Sequence, residues 1–271
     1  MKTDSFNSFV RELYQSKEKY VPLHVPVFNG NEKEYLLETI DSTFVSSVGK
    51  YVDQVESFLA DYTKTSKGVA VVNGTAAIQV ALRLVGVSPG DEVITQALTF
   101  VATANSIAHN GAKPVFVDVD KDTMGLSPRA LEAFLEEYGE RRDQGVYNRK
   151  TGKRISAVLP MHTFGFMCRI SEIQTICNEW GIPCVEDAAE ALGSQSEGQS
   201  AGSFGSLGAF SFNGNKIITA GGGGVIVSND IDLGTKAKYL TTTAKRPHSF
   251  EYFHDELGYN FRMPNVNAAL L

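Results

Sequence analysis

Residues 68–85 read GVAVVNGTAAIQVALRLV, and the two halves of this stretch follow different rules. GVAVV is a short apolar run without polar alternation, the pattern of a strand covered on both faces. Residues 75–85 then read as a helix, and Asn73 and Gly74 mark the turn between the two. The same strand-then-helix unit recurs: EVIT (92–95) before a helix over 103–109, PVFVDV (114–119) before one over 128–138, and ISAVLP (155–160) before one over 170–180. IPCVED (182–187), LGAFSF (207–212) and GVIVS (224–228) complete the set. Alternation of this kind predicts an α/β fold with a mostly parallel sheet between helices.

Upstream, Phe6, Phe9, Val10, Leu13 and Tyr14 share one helical face, and Leu36, Leu37, Ile40 and Phe44 share another. Residues 1–50 therefore form an N-terminal helical segment in which VPLHVPVFNG (21–30) is a linker. Residues 51–271 form the large domain. The polar stretch 136–154, which contains ERRDQGVYNRKTGKR (140–154), reads as a solvated excursion.

Composition narrows the classes. A chain of 271 residues, 42% hydrophobic and 21% charged, can bury a full core. A net charge of −6 and no concentrated basic stretch beyond Lys245 and Arg246 argue against a nucleic-acid partner. Three cysteines, Cys168, Cys177 and Cys184, have no CxxC spacing, which argues against a disulfide framework or a zinc site and favours a reducing cytoplasm. No run approaches the roughly twenty apolar residues of a membrane span. MKTDSFNSFVRELYQ lacks the apolar stretch of a signal peptide.

The candidate chemistry gathers at Lys216, in SFNGNKIITAGGGG (211–224), which follows Asp187 of CVEDAAEALGS (184–194) by 216 − 187 = 29 positions. Asp187 ends a strand, where open α/β sheets collect ligands. A lysine amine, a carboxylate at the foot of a strand and amides opening a helix are the three partners that pyridoxal phosphate requires. Taken alone, Glu186–Asp187 reads as a helix N-cap pair and Lys216 as one solvated lysine among many; their joint spacing favours the site. NGTAAI (73–78) opens a helix, so the amides of Gly74 and Thr75 point at an anion or simply close a capped turn. Ser211 adds a hydroxyl. Phe100, in LTFVATAN (98–105), either stacks on a cofactor ring or fills the core. His162, in LPMHTFG (159–165), reads as a satisfied structural histidine. No GxxxxGK[ST], GxGxxG or HExxH pattern occurs.

The ordered set NGTAAI, PGDEVIT with LTFVATAN, PVFVDVD, VEDAAEALGS, SFNGNK with its glycine run, and GYNFRMPN resembles the DegT-type nucleotide-sugar aminotransferases of the fold-type I pyridoxal phosphate superfamily. The resemblance runs from about Val21 to the last residue. It implies Lys216 as the Schiff-base lysine, Asp187 at the pyridine nitrogen and Phe100 on the ring. It also implies Gly74, Thr75 and Ser211 at the phosphate and Glu190 against the cofactor. Asn260 would reach the phosphate of a partner subunit, hence a homodimer. TTTAKRPHSFEYFHDELGYNFR (241–262) is most similar to the legionaminic acid and bacillosamine branch. Its members aminate a nucleotide-linked 4-keto-6-deoxy-N-acetylhexosamine with an amino-acid donor, glutamate.

Family members continue past the helix that NVNAALL (265–271) begins, so the resemblance implies a C-terminally truncated chain whose small C-terminal domain is missing. That motivates the alternative of a non-catalytic pyridoxal phosphate-binding or regulatory homologue. Related sugar dehydratases replace the lysine with histidine, and Lys216 argues against that reading.

Overall fold

The computed structural model describes residues 3–17 and 20–271; Met1, Lys2, Glu18 and Lys19 of the N-terminal segment lie outside the described residues. That segment holds helices α1 (Thr3–Leu13) and α2 (Glu32–Asp41), and residues 21–30 between them adopt neither helix nor strand, as a linker should. On α1 the periodic apolar residues do share a face, yet the helix buries none of them.

From α3 (Lys50–Thr63) onward the expected alternation appears: β1 (Lys67–Val71), α4 (Gly74–Leu84), β2 (Glu92–Gln96), α5 (Val101–His109), β3 (Lys113–Val117) and α6 (Pro128–Tyr138). The hairpin β4 (Gly139–Arg142) and β5 (Gly145–Asn148) follows, then β6 (Arg154–Leu159), α7 (Ile170–Trp180) and β7 (Val185–Asp187). Two-residue strands β8 (Gln195–Ser196) and β9 (Gln199–Ser200) precede β10 (Leu207–Ser211), β11 (Gly224–Ser228), α8 (Ile231–Thr241) and α9 (Asn265–Ala268).

The strands pair in the orders β3-β2-β6-β5-β4 and β1-β11-β10-β7. A parallel bridge from Val158 of β6 to Cys184, just before β7, joins the two blocks. Strands β3, β2 and β6 run parallel, as do β7 and β10. In the second block β11 is antiparallel to both β10 and β1. Its reversal has a simple cause. Parallel neighbours need a crossover of a dozen or more residues, usually helical, whereas residues 212–223 return directly as a loop without a helix. The α/β fold expected from the sequence is therefore present, its sheet mixed around the parallel strands, with Lys216 carried on a connection that turns back.

Residues 136–154 correct the sequence reading. Instead of a purely solvated excursion they build the β4–β5 hairpin, which extends the sheet along the first part of β6. Val146 is buried, and Asn148 reaches Glu92 of β2 through a buried hydrogen bond of 2.8 Å. The charged residues that suggested solvent, Arg141 and Arg142, stay exposed on the outer strand.

Alternate residues of single strands enter different cores, which is why the strand runs are apolar throughout. Val69, Val71 and Ile226 pack with Ile78, Leu82 and Ile107 of α4 and α5. Ala70, Val225 and Val227 pack with Val52, Val55 and Leu59 of α3. Val158 joins Leu131, Leu135 and Ile173 of α6 and α7. Close approach behind β10 depends on Gly208: a Cβ there would stand 2.3 Å from the backbone of Gly202. Gly208→Ala should lower the unfolding free energy by about 1–3 kcal/mol in urea titration, and an unchanged midpoint would refute this packing.

Candidate active site

The parallel strands end on one side of the sheet, and the segments that follow them enclose a cavity of about 320 Å³. Asp187, the last residue of β7, lines it and is buried. Its Oδ2 accepts from Thr103 Oγ1 at 2.7 Å and its Oδ1 from the Ala189 amide at 3.2 Å. Glu186–Asp187 thus close a strand; the N-cap alternative does not describe them. Burial pushes the Asp187 carboxyl above the ordinary carboxylate range, against the opposing pull of the Thr103 and Ala189 hydrogen bonds and of the Lys216 and His162 charges. A cation placed at this carboxyl would relieve the cost of its burial.

Lining the same cavity is the start of α4. Asn73 caps it, its Oδ1 accepting from Ala76 N at 2.8 Å, and the first amides of a helix have no partner within it. Gly74 lies against Ser211 so closely that a Cβ on Gly74 would be 2.8 Å from Ser211 Cβ. The missing side chain brings helix amides and a hydroxyl to the same wall, a cradle for an anion.

Lys216 lines the cavity too; its Nζ donates to Glu190 Oε1 at 3.1 Å and lies 5.9 Å from the centre of the Phe100 ring. Glu190 Oε2 accepts from the Phe164 amide at 3.0 Å. Phe164 adopts φ 54° and ψ 23°, a left-handed conformation unfavourable for a bulky residue, so the turn that delivers this amide holds local strain. Phe100 is 61% exposed, a ring on the cavity wall and not a core residue. The cavity thus gathers anion donors, a buried carboxyl, an amine and an aromatic face.

Gly74, Thr75, Phe100, Asp187, Glu190, Ser211 and Lys216 all line this cavity. Asn260 does not: it is exposed, its backbone bridged to Thr242. His162 is fully buried, its Nε2 3.0 Å from Glu186 Oε2, in keeping with a satisfied structural histidine. Thr103 was not singled out in the sequence, although its place on the first turn after Phe100 gives the only available signal. Among the described residues no group of three or more His, Cys, Asp or Glu is arranged to hold a metal ion, and no helix is long and apolar enough to cross a membrane. The three cysteines are free and buried.

Burial opposes a charged His162, yet Cys168 and Glu186 outweigh it and push the imidazole up to about 10. A raised folded-state value contributes stability that is complete below the unfolded value of 6.5 and is lost as pH rises toward about 10. The melting temperature should therefore fall between pH 7 and 10 by roughly 5 °C more in the parent than in His162→Gln. Parallel curves in scanning calorimetry would contradict the assignment.

Comparison with known proteins places these features in context. The DegT/DnrJ/EryC1/StrS aminotransferase family matches residues 27–271. EpsN of Bacillus subtilis strain 168, whose name points to a pyridoxal phosphate-dependent aminotransferase, is 41% identical over 252 residues, covering 93% of this chain and 62% of its own length. GDP-perosamine synthase of Caulobacter vibrioides is 38% identical over 250 residues, covering 92% of this chain and 63% of its own. Among solved structures, Helicobacter pylori PseC, an aminotransferase of pseudoaminic acid biosynthesis, superposes with a TM-score of 0.82 at 25% identity, over 93% of this chain and 64% of that one. The chain spans a little under two thirds of the length of these proteins. Its α/β fold is the fold of aminotransferase structures of that family.

Proposed function

The chain belongs to the DegT/DnrJ/EryC1/StrS aminotransferase family, and from that premise we propose that it is a pyridoxal phosphate-dependent transaminase acting on nucleotide-linked sugars. The acceptor we assign is the 4-keto carbon of a nucleotide-linked 4-keto-6-deoxy-N-acetylhexosamine, of the kind used in legionaminic acid and bacillosamine synthesis, and the donor is an amino acid, glutamate. The observation that carries the reading is one cavity lined by the Lys216 amine, the buried Asp187 carboxyl and the start of α4. The donor set fits the cofactor in kind: a carboxyl for a cationic ring nitrogen, helix amides and Ser211 for a phosphate, and an amine for an aldehyde.

In this reading Asp187 would hold the ring nitrogen, Gly74, Thr75 and Ser211 the phosphate, and Lys216 the aldehyde carbon, with Phe100 against the ring. When bound, the cofactor supplies an electron sink for the carbanion formed at the donor α-carbon. Lys216 Nζ takes the proton from that carbon and delivers one in the opposite half-reaction, serving as anchor and as acid and base. Glu190, already 3.1 Å from Nζ, orients the amine. Asp187 and the capped helix fix the two ends so that the proton moves along a set path. Residues 51–271 form the catalytic domain and 1–50 an N-terminal segment. The active form is a cytoplasmic homodimer in which Asn260 serves the partner's site.

The test is incubation of the protein with pyridoxal phosphate, glutamate and a panel of UDP- and GDP-linked 4-keto sugars, followed by detection of amino-sugar product. Product from one 4-keto acceptor is expected. Absence of product with every acceptor would overturn this reading in favour of a non-catalytic homologue.

A further inference from the structure

Gln96 ends β2, in EVITQ, and its polar side chain is fully buried. A primary amide closed off from water must find partners for two N–H groups and for its oxygen. Gln96 finds them on three different segments. Its Nε2 donates to the Leu98 carbonyl and to Thr163 Oγ1, both at 2.9 Å; its Oε1 accepts from the Leu126 amide at 2.9 Å and from the Met161 amide at 3.0 Å. Two backbone amides facing one side-chain atom require that atom to be the oxygen, so the neighbours fix which way the Gln96 amide points. Those neighbours belong to the segments that follow β2, β3 and β6, three parallel strands that end on the cavity side of the sheet. One side chain thus ties together the exits of three strands.

The contact with Thr163 leads to the amine. The Thr163 hydroxyl, receiving from Gln96, donates in turn to the Met124 carbonyl at 3.0 Å. The next residue, Phe164, holds its left-handed φ of 54°, and its amide reaches Glu190 Oε2, while the other oxygen of Glu190 holds Lys216 Nζ. A bulky residue stays in that conformation only where its surroundings hold it there. After Phe164 the hold is Ser194 Oγ, which donates to the Gly165 carbonyl at 2.6 Å; before it, the hold is the chain from Gln96 through Thr163 to Met124. We propose that Gln96 is a positioning residue for Lys216: through Thr163 it holds the Phe164 turn, whose amide fixes Glu190 beside the amine. Neither Gln96 nor Thr163 lines the cavity, so their influence on Lys216 passes through this series of contacts.

The inference rests on the proposed function only in that Lys216 is the working amine; its first test needs neither cofactor nor turnover. In the cofactor-free chain, hydrogen exchange of the Phe164 amide, followed by NMR, should speed up at least about tenfold in Thr163→Val, which keeps the shape of the side chain and loses the hydroxyl. Thr163→Ser, which keeps the hydroxyl, should restore the protection, and amides inside α4 should exchange at parent rates in both. Gln96→Met, of similar length but without the amide, should repeat the result of Thr163→Val. The second test separates positioning from general loosening. In the assay with pyridoxal phosphate, glutamate and the accepted keto-sugar, Gln96→Met should lower kcat about tenfold with KM held within about twofold, and should lower kcat no further in a Glu190→Ala background. Unchanged Phe164 exchange in Thr163→Val, or a loss of kcat that adds in full to that of Glu190→Ala, would overturn the proposal. Should Gln96→Met fail to fold, Thr163→Val carries both tests. If no acceptor is aminated, the proposed function fails, and the exchange rates alone decide whether Gln96 and Thr163 hold the turn.

Discussion

Lys216→Ala converts no keto-sugar at a measurable rate: turnover falls by at least about a thousandfold while the protein remains folded. The size follows from the two duties assigned to one atom, Nζ, since covalent anchoring and proton transfer are lost together and no neighbouring amine replaces either. The fold survives because Lys216 lies in the loop 212–223, outside the three cores, and its one close polar partner is Glu190, a part-exposed carboxylate. Loss of this part-buried, charge-assisted hydrogen bond, its side chains 11% and 22% exposed, should cost about 1–3 kcal/mol. Three measurements separate loss of chemistry from loss of structure. The melting temperature should stay within a few degrees of the parent, and pyridoxal phosphate should still bind through the α4 corner without its covalent absorption band. Added small primary amines should restore a fraction of the proton-transfer rate. Full turnover in Lys216→Ala would refute the assignment outright.

Asp187→Asn should move activity and stability in opposite directions. Loss of the charge removes the group that would hold a ring nitrogen protonated, and kcat should drop at least about a hundredfold. Local geometry is retained, because the amide oxygen can accept from Ala189 N and the amide NH2 can donate to Thr103 Oγ1, whose hydroxyl is free to turn. Stability should rise in the cofactor-free protein. The Asp187 carboxyl is raised above its ordinary value by burial. Its contribution to stability is therefore present below the unfolded value of 3.8 and is lost as pH climbs through the folded value. Asparagine has no such loss, so the variant's melting curve should lie above the parent's at neutral pH and the gap should close in acid. A variant less stable than the parent at pH 7 would mean that the carboxylate is already compensated without a ligand.

Much of this was legible from residue types and spacing, because strands buried on both faces and helices opened by Asn-Gly or Ser-Pro leave local marks. The strand runs GVAVV and GVIVS and the helices over 128–138 and 170–180 needed no tertiary information. The β4–β5 hairpin was hidden by its charge: Arg141, Arg142 and Arg154 suit solvent, and the inward residues Val146 and Asn148 are too few to give a period. The cavity was read through the residues whose chemistry is distinctive, Lys216 and Asp187 above all. Thr103 and Glu186 escaped because their function lies in their partners. A threonine on a helix and a glutamate beside an aspartate carry no local sign that one will bond the other's neighbour across 84 positions, or that the other will collect three amides from residues 202–205.

The placement of β11 has a consequence for how the chain is made. Strand β1 lies at the margin of its sheet and pairs with β11, Val71 opposite Gly224, 224 − 71 = 153 residues later. A ribosome therefore releases β1 and the apolar face of α4 long before their strand partner exists, while β2 and β3 can join within a short span of synthesis. The segment around 68–85 thus waits through most of synthesis for its strand partner, and its valines are a natural target for a chaperone until residue 228 has emerged.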